Sequence, residues 1–266
     1  MTPAADQPRT TRSILTYIGV GLLAGLLSGL FGVGGGTVIV PLLVLLLAFN
    51  QRLAAGTSLA AIVPTATIGV VSYALAGSVD WLAAILLAIG AIIGTQIGTW
   101  MLPRISQTIL RWIFVGFLAL VIVSLFIVIP SRDAQIDMTV WSGIALVAVG
   151  LVTGILSGLI GVGGGIVVVP VLILLFGASD LVAKGTSLLF MIPAAISGTF
   201  GNLRRKNVDL VAAAYVGVSA CLTTAVGAWL ATLLSPFAAN ILFAAYLVFI
   251  GVQMAMKAIK GRKKKD

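Results

Sequence analysis

Two glycine clusters carry the residues best suited to chemistry in this chain. "GLLSGLFGVGGGTVIVP" covers Gly25–Pro41 and "GILSGLIGVGGGIVVVP" covers Gly154–Pro170, with thirteen of seventeen positions identical. Gly32, Gly34, Gly35 and Gly36 in the first, and Gly161, Gly163, Gly164 and Gly165 in the second, place four glycines in five residues. Each costs about 1 kcal/mol relative to alanine in a helix, so the helix must break there. The flanks are hydrocarbon, where an unpaired backbone amide costs several kcal/mol. Such a break survives only if protein or a water-lined cavity surrounds it. A half-helix restarting at Thr37 or Ile166 presents free N–H groups and the positive end of its dipole, an anion site without formal charge. The plainer use of the same glycines is close helix packing. The phosphate-loop pattern is absent, and "GVGGGT" misses the last glycine of the dinucleotide fingerprint.

A second repeated motif follows each cluster. "GTSL" at Gly56–Leu59 and Gly185–Leu188 offers the hydroxyls of Thr57, Ser58, Thr186 and Ser187, each motif upstream of a proline, Pro64 or Pro193. These hydroxyls either donate to an anion or cap and back-bond their own helix. Lys184 breaks the likeness, since its counterpart is Ala55. A lysine beside a hydroxyl pair can attract an anion, or it is an ordinary loop lysine near Asp180. Gln96 and Asn202 can donate to an oxyanion or join helices. Asp80 and Asp209 precede apolar runs as N-caps.

Absences narrow the chemistry. Histidine and glutamate are missing, Cys221 is the one cysteine, and the seven acids are all aspartates. No metal and no cofactor is expected, because metal and haem sites need His, Cys or Glu clusters. No Ser-His-Asp or Cys-His set supports an enzyme. No carboxylate sits clearly inside an apolar run, so coupling through an intramembrane acid is not expected.

The elements that must position these residues are membrane helices. Hydrophobic residues make up 60% of the 266 and charged residues 9%, with mean hydropathy +1.21. Soluble chains carry about 25% charge, so lipid must cover much of this surface. Long unbroken runs such as "WLAAILLAIGAIIG" exclude a barrel. The net charge of +9 reflects anchoring at the cytoplasmic surface, with no nucleic-acid partner expected. The expected partners are the lipid bilayer and a small anionic substrate.

The glycine clusters lie 129 residues apart, and the same offset relates "GTSL" to "GTSL", Pro64 to Pro193, Gly69 to Gly198, "VD" at Val79-Asp80 to Val208-Asp209, and Gly98 to Gly227. The chain therefore reads as an N-terminal tail (1–13), unit 1 (14–130), a linker (131–142), unit 2 (143–259) and a basic tail (260–266). In unit 1 the runs are Ile14–Phe31, Thr37–Phe49, Leu53–Ala76, Trp81–Leu102 and Leu110–Ile129. The first two form a glycine-broken hairpin, either two short crossings or a re-entrant pair, followed by three crossings. That odd count turns unit 2 upside down. With both termini in the cytoplasm, the inside holds Arg9, Arg12, Arg52, Arg104, Arg111, Arg204, Arg205, Lys206 and the tail, and the outside only Arg132 and Lys184. The positive-inside rule prefers this inverted arrangement. The expected fold is an all-α polytopic membrane protein of two inverted-topology repeats, with its glycine clusters converging from opposite faces.

The paired "G-V-G-G-G-x(4)-P" motifs, each followed by "GTSL" and then "VD", resemble those of the sulfite exporter TauE/SafE family, the TSUP permeases. The resemblance spans Leu15 to about Ile259. It implies an inner-membrane carrier of small sulfur-containing anions such as sulfite or organosulfonates, working by export or in both directions. It carries over to Gly32–Gly36 with Pro41, Gly161–Gly165 with Pro170, Gly56–Ser58 and Gly185–Ser187. A channel-like anion pore is the alternative.

Overall fold

The computed structural model describes residues 10–106 and 138–262, with positions 108, 109, 112, 113, 115, 116, 119, 122 and 123 between them. All regular structure among the described residues is helical. The helices are α1 (Thr11–Phe31), α2 (Gly36–Leu46), α3 (Gln51–Leu75), α4 (Trp81–Met101), α5 (Val140–Ile160), α6 (Gly165–Phe176), α7 (Asp180–Arg204), α8 (Leu210–Leu233) and α9 (Pro236–Arg262). Six of these, α1, α3, α4, α5, α7 and α8, are long and apolar enough to cross a membrane. The described positions between 108 and 123 are helical, where the fifth run of unit 1 was expected. Residues 131–137 of the expected 131–142 linker and the last basic residues lie outside the described set, and α5 already begins at Val140, within that linker.

Short polar residues start the helices. Thr10, Asn50, Asp80, Thr139, Ser179 and Asp209 each accept a hydrogen bond from a backbone N–H in the first turn. This satisfies donors that lipid cannot. Asp80 and Asp209 are thus the N-caps the sequence predicted.

Glycine ridges set the helix pairing. α1 lies along α8 and α4 along α5. Side chains at Gly21, Gly25 and Gly29 would strike the α8 backbone at Val216, Ala220 and Thr224. Side chains at Gly150, Gly154 and Gly158 would strike α4 at Leu87, Ala91 and Thr95. Spacing of four puts these glycines on one helix face, which allows backbone approach without a hydrophobic driving force.

Contacts between the halves are reciprocal under the 129-residue offset. Gly69 lies against Leu188, and Gly198 against Leu59. Gly32 lies against Lys184, and Gly161 against Ala55. The first pair also shows that α3 and α7, the matching helices of the two halves, run past each other in opposite directions.

Charge separates along this bundle. Arg52 Nη2 donates to the Pro103 and Ile105 carbonyls (2.9 and 3.1 Å), and Arg205 Nη1 to the Gly201 carbonyl (2.6 Å) and Thr99 Oγ1 (3.5 Å). The start of α3, the end of α4 and the end of α7 therefore share one face, which carries Arg52, Arg104, Arg204, Arg205 and Lys206. Tyr17, near the start of α1, meets Phe49 edge-on and stacks on Tyr215 (centroids 6.4 and 6.5 Å), adding the start of α1 and the start of α8 to that face. The opposite face holds the α3–α4 connection and the start of α7, with Asp80, Asp180 and Lys184.

Candidate functional site

Both glycine clusters break their helices. α1 ends on Gly32 and α5 on Gly161, both left-handed (φ +69° and +80°). Gly34 and Gly35, and Gly163 and Gly164, are also left-handed, and Gly35 and Gly164 are the N-caps of α2 and α6. An L-residue with a Cβ loses about 1–2 kcal/mol in that conformation, which is why these positions are glycine. The half-helices begin at Gly36 and Gly165, one residue before Thr37 and Ile166. Neither Gly35 nor Gly164 supplies a side-chain cap. The first N–H groups of α2 and α6 are thus left to the surrounding backbone or a ligand.

The second arm of the first hairpin is short. α2 has 11 residues, about 16 Å long, roughly half a hydrocarbon core. It leads back to Phe49, beside Tyr17 at the start of α1.

The two breaks meet each other. A Cβ on Gly36 would lie 2.6 Å from Val162 Cα, and one on Gly165 would lie 2.8 Å from the Gly32 carbonyl oxygen. Ile62 and Met191, the twelfth residues of α3 and α7, fill the space between. The Met191 methyl and the Ile62 side chain each approach both Gly34 and Gly163. Every residue of both breaks is buried. The convergence lies at the mid-length of the central crossing helices.

The "GTSL" hydroxyls divide by role. Thr57 Oγ1 accepts from the Asp209 N–H (3.0 Å) and Thr186 Oγ1 from the Asp80 N–H (2.9 Å). These two oxygens hold the "VD" segment of the opposite half and do not face the glycine breaks. Ser187 does: its Oγ donates to the Gly32 carbonyl (2.9 Å) and lies 2.8 Å from where a Gly165 Cβ would sit. Its counterpart Ser58 is fully buried with no partner for its hydroxyl. Neighbouring hydroxyls share that state. Ser28 and Ser157, matched at the 129 offset one turn before each break, are buried and unpartnered.

Gln96 and Asn202 lie elsewhere. Gln96 is exposed and its Nε2 donates to the carbonyl and hydroxyl of Ser197 (2.7 and 2.9 Å), joining α4 to α7. Asn202 is buried near the end of α7, against Gly56, and its Nδ2 donates to the Gly198 carbonyl (3.0 Å).

Lys184 is not a loop lysine. It lies in the second turn of α7, 5% exposed, its Cα 2.6 Å from where a Gly32 Cβ would sit. Its Nζ pairs with Asp180 Oδ2 at 3.3 Å. Asp180 is itself 3% exposed. Asp180 is the first residue of α7, so it stands at the end of the apolar run and is buried there. It opens α7 directly after "GAS", which made it look like loop, yet it is buried, with Tyr73 of α3 within its electrostatic reach. Sequence reasoning also missed Ile62 and Met191, whose apolar side chains carry no signal inside apolar runs. Ser28 and Ser157 were visible as an invariant "LSGL" in the repeat but were not weighed.

Comparison with known proteins agrees with this architecture. The family model for the sulfite exporter TauE/SafE matches residues 2–125 and 146–266. The chain is similar to "Probable membrane transporter protein YunE" of Bacillus subtilis (strain 168), 28% identical over 220 residues, covering 74% of this chain and 81% of that protein. It is similar to a "Probable membrane transporter protein" of Xylella fastidiosa (strain 9a5c), 30% identical over 203 residues, covering 74% and 75%. A protein of the same description from Haemophilus influenzae is 32% identical over 194 residues, covering 70% and 72%. No solved structure matches.

Proposed function

The chain belongs to the sulfite exporter TauE/SafE family of membrane transporters, and from that premise we propose a secondary carrier, an exporter, of small sulfur-containing anions such as sulfite or organosulfonates. The observation that carries the proposal is the meeting of the two glycine breaks at mid-bundle, Gly36 against Val162 and Gly165 against Gly32. Two half-helix N-termini there supply backbone N–H groups and positive dipole ends to a bound oxyanion. Ser58 and Ser187, with Ser28 and Ser157, supply hydroxyls. A site of this kind replaces hydration without a formal charge that would trap the anion.

The mechanism follows from the geometry. Each break belongs to one half of the chain, and the halves are 14–130 and 143–259 with opposed orientation in the bilayer. Rocking one half against the other opens the shared site first to one side and then to the other. Ile62 and Met191 close it between openings. Dense packing at the breaks favours such a carrier over a pore, which needs a continuous water path. In this reading the basic face is cytoplasmic, both termini are cytoplasmic, and the protein resides in the cytoplasmic membrane.

The test is ligand-induced stabilisation of the purified protein by sulfite, thiosulfate, sulfoacetate, taurine and acetate. A true ligand at 100 times its Kd raises stability by about 2.7 kcal/mol. The expected result is a shift with sulfite or a sulfonate and none with acetate. A shift with acetate alone contradicts the substrate class.

A further inference from the structure

The two halves differ in how the polar groups around their breaks are paired. Four positions matched at the 129 offset show it: Gln51 with Asp180, Ser58 with Ser187, Ser157 with Ser28, and Asn202 with Tyr73. Around the Gly32 break, three of the four have a protein partner. Asp180 pairs with Lys184, Ser187 Oγ donates to the Gly32 carbonyl, and the Tyr73 hydroxyl donates to the Gly29 carbonyl at 2.7 Å. Around the Gly161 break the matching atoms are open. Gln51 Nε2 and Oε1, the Ser58 and Ser157 hydroxyls, and Asn202 Oδ1 are all buried without a hydrogen-bond partner. None of these four residues is more than 1% exposed.

Packing gathers the four. A Cβ on Gly161 would lie 2.6 Å from Ala55 Cβ, so the second break rests on α3 at Ala55. Gln51 and Ser58 flank Ala55 on that helix face, at spacings of four and three. Ser157 lies one turn before Gly161, and its carbonyl accepts the Gly161 N–H at 2.7 Å. Asn202 Cβ lies 3.0 Å from where a Cβ on Gly56, next to Ala55, would sit. Three helices, α3, α5 and α7, thus bring these groups around one contact. Arg52 and Arg205 adjoin them in sequence, where the other half has Leu181 and Ala76.

The atoms left open set the chemistry of a ligand. Asn202 Nδ2 donates to the Gly198 carbonyl at 3.0 Å, and a flipped amide would set two oxygens against each other. Oδ1 is therefore an acceptor that needs a hydrogen. An ionised sulfonate has none to give, so an anionic head does not satisfy it. A hydroxyl gives one hydrogen and accepts another. An ammonium also gives hydrogens, but it brings positive charge toward Arg52 and Arg205.

We propose that the Gly161 side of the shared site is a subsite for a hydroxyl group on the transported anion, which makes the ligand class hydroxy-substituted alkanesulfonates. The inference rests on the anion-carrier reading above: the oxyanion head lies at the half-helix N-termini, and the subsite takes the substituent. Asn202 Oδ1 accepts from the ligand hydroxyl, and Ser58 Oγ donates to it. A ligand without the hydroxyl leaves buried polar atoms unpaired, and such a site discriminates against it. The Gly32 side, with three of its four groups already paired, holds no such subsite.

The test uses three probes that share a two-carbon sulfonate: ethanesulfonate, 2-hydroxyethanesulfonate and 2-aminoethanesulfonate. Binding to the detergent-purified full chain is measured by titration calorimetry. Wild type should bind the hydroxyl compound about tenfold more tightly than ethanesulfonate, and more tightly than the amine. Asn202→Leu should abolish that preference. Asn202→Thr, whose hydroxyl keeps an acceptor, should retain part of it. Ser58→Ala removes one unpartnered oxygen and should shrink the preference several-fold; it decides the matter where Asn202→Leu does not fold. Equal binding of the hydroxyl compound and ethanesulfonate, tighter binding of the amine, or a preference untouched by these substitutions overturns the subsite, while binding of ethanesulfonate keeps the carrier reading. Binding of none of the three probes, nor of sulfite, overturns the anion-site reading and the subsite with it.

Discussion

Replacing Gly35 by alanine should cost far more than replacing Gly19, although both glycines belong to the same hairpin. Gly35 has φ +77°, and an added Cβ would lie 3.0 Å from the Ala24 carbonyl oxygen and 3.2 Å from Ala24 Cβ. The left-handed conformation alone costs an L-residue about 1–2 kcal/mol. Ala24 is fully buried, so it cannot retreat, and overpacking adds about 1 kcal/mol or more. Reduced freedom of the unfolded chain returns about 0.4–1 kcal/mol. The net loss is about 1–3 kcal/mol. Gly19 is helical, with nothing within 4 Å of an added Cβ, and alanine there should gain about 0.5–1 kcal/mol. Reversible unfolding in mixed micelles, followed by circular dichroism, measures both. Gly35→Asn should recover part of the loss, because asparagine tolerates the left-handed region. Equal stabilities of the Gly19 and Gly35 alanine variants would refute the claim that the break depends on its backbone geometry.

Gly35→Leu and Gly164→Leu should each abolish transport while the protein still reaches the membrane, as checked by membrane fractionation and vesicle flux. Lys184→Ala should destabilise by about 3–5 kcal/mol, because Asp180 is left buried and uncompensated, and the Asp180→Gln/Lys184→Ala pair should recover most of that in a double-mutant cycle. Thr57→Val and Thr186→Val should each cost about 1–3 kcal/mol by leaving the Asp209 or Asp80 N–H without its acceptor, read from the same unfolding curves. In a Cys221→Ala background, Ala76→Cys, exposed at the end of α3, should label with an impermeant maleimide in right-side-out cells, and Arg104→Cys only after permeabilisation; the reverse pattern contradicts the orientation.

Much of the architecture was legible because the repeat needed no gaps. An offset of 129 predicted that Thr57 and Thr186 would occupy matching places, and they hold Asp209 and Asp80 in mirrored contacts. Helix limits were legible to within a few residues because polar caps are rare in a hydrocarbon chain. The function of those caps was less so. A threonine after a glycine reads equally as anion donor or backbone acceptor, and only the position of the "VD" segment from the other half decides. The interior of the site was hidden for a different reason. Ile62 and Met191 are apolar residues in apolar runs, and their meeting point depends on how two helices cross. Asp180 stands at the end of its apolar run, and only the packing of α7 shows that it is buried beside Lys184.

The central claim is that both glycine breaks build one alternating site for a sulfur-containing anion. Counterflow in proteoliposomes tests it most directly, with labelled sulfite outside and an excess of unlabelled sulfite inside. The account predicts saturable, trans-stimulated uptake that Gly34→Leu and Gly163→Leu each eliminate, since either side chain would enter the space that Ile62 and Met191 now fill. Flux that neither saturates nor responds to internal sulfite, or that survives both substitutions, would contradict it.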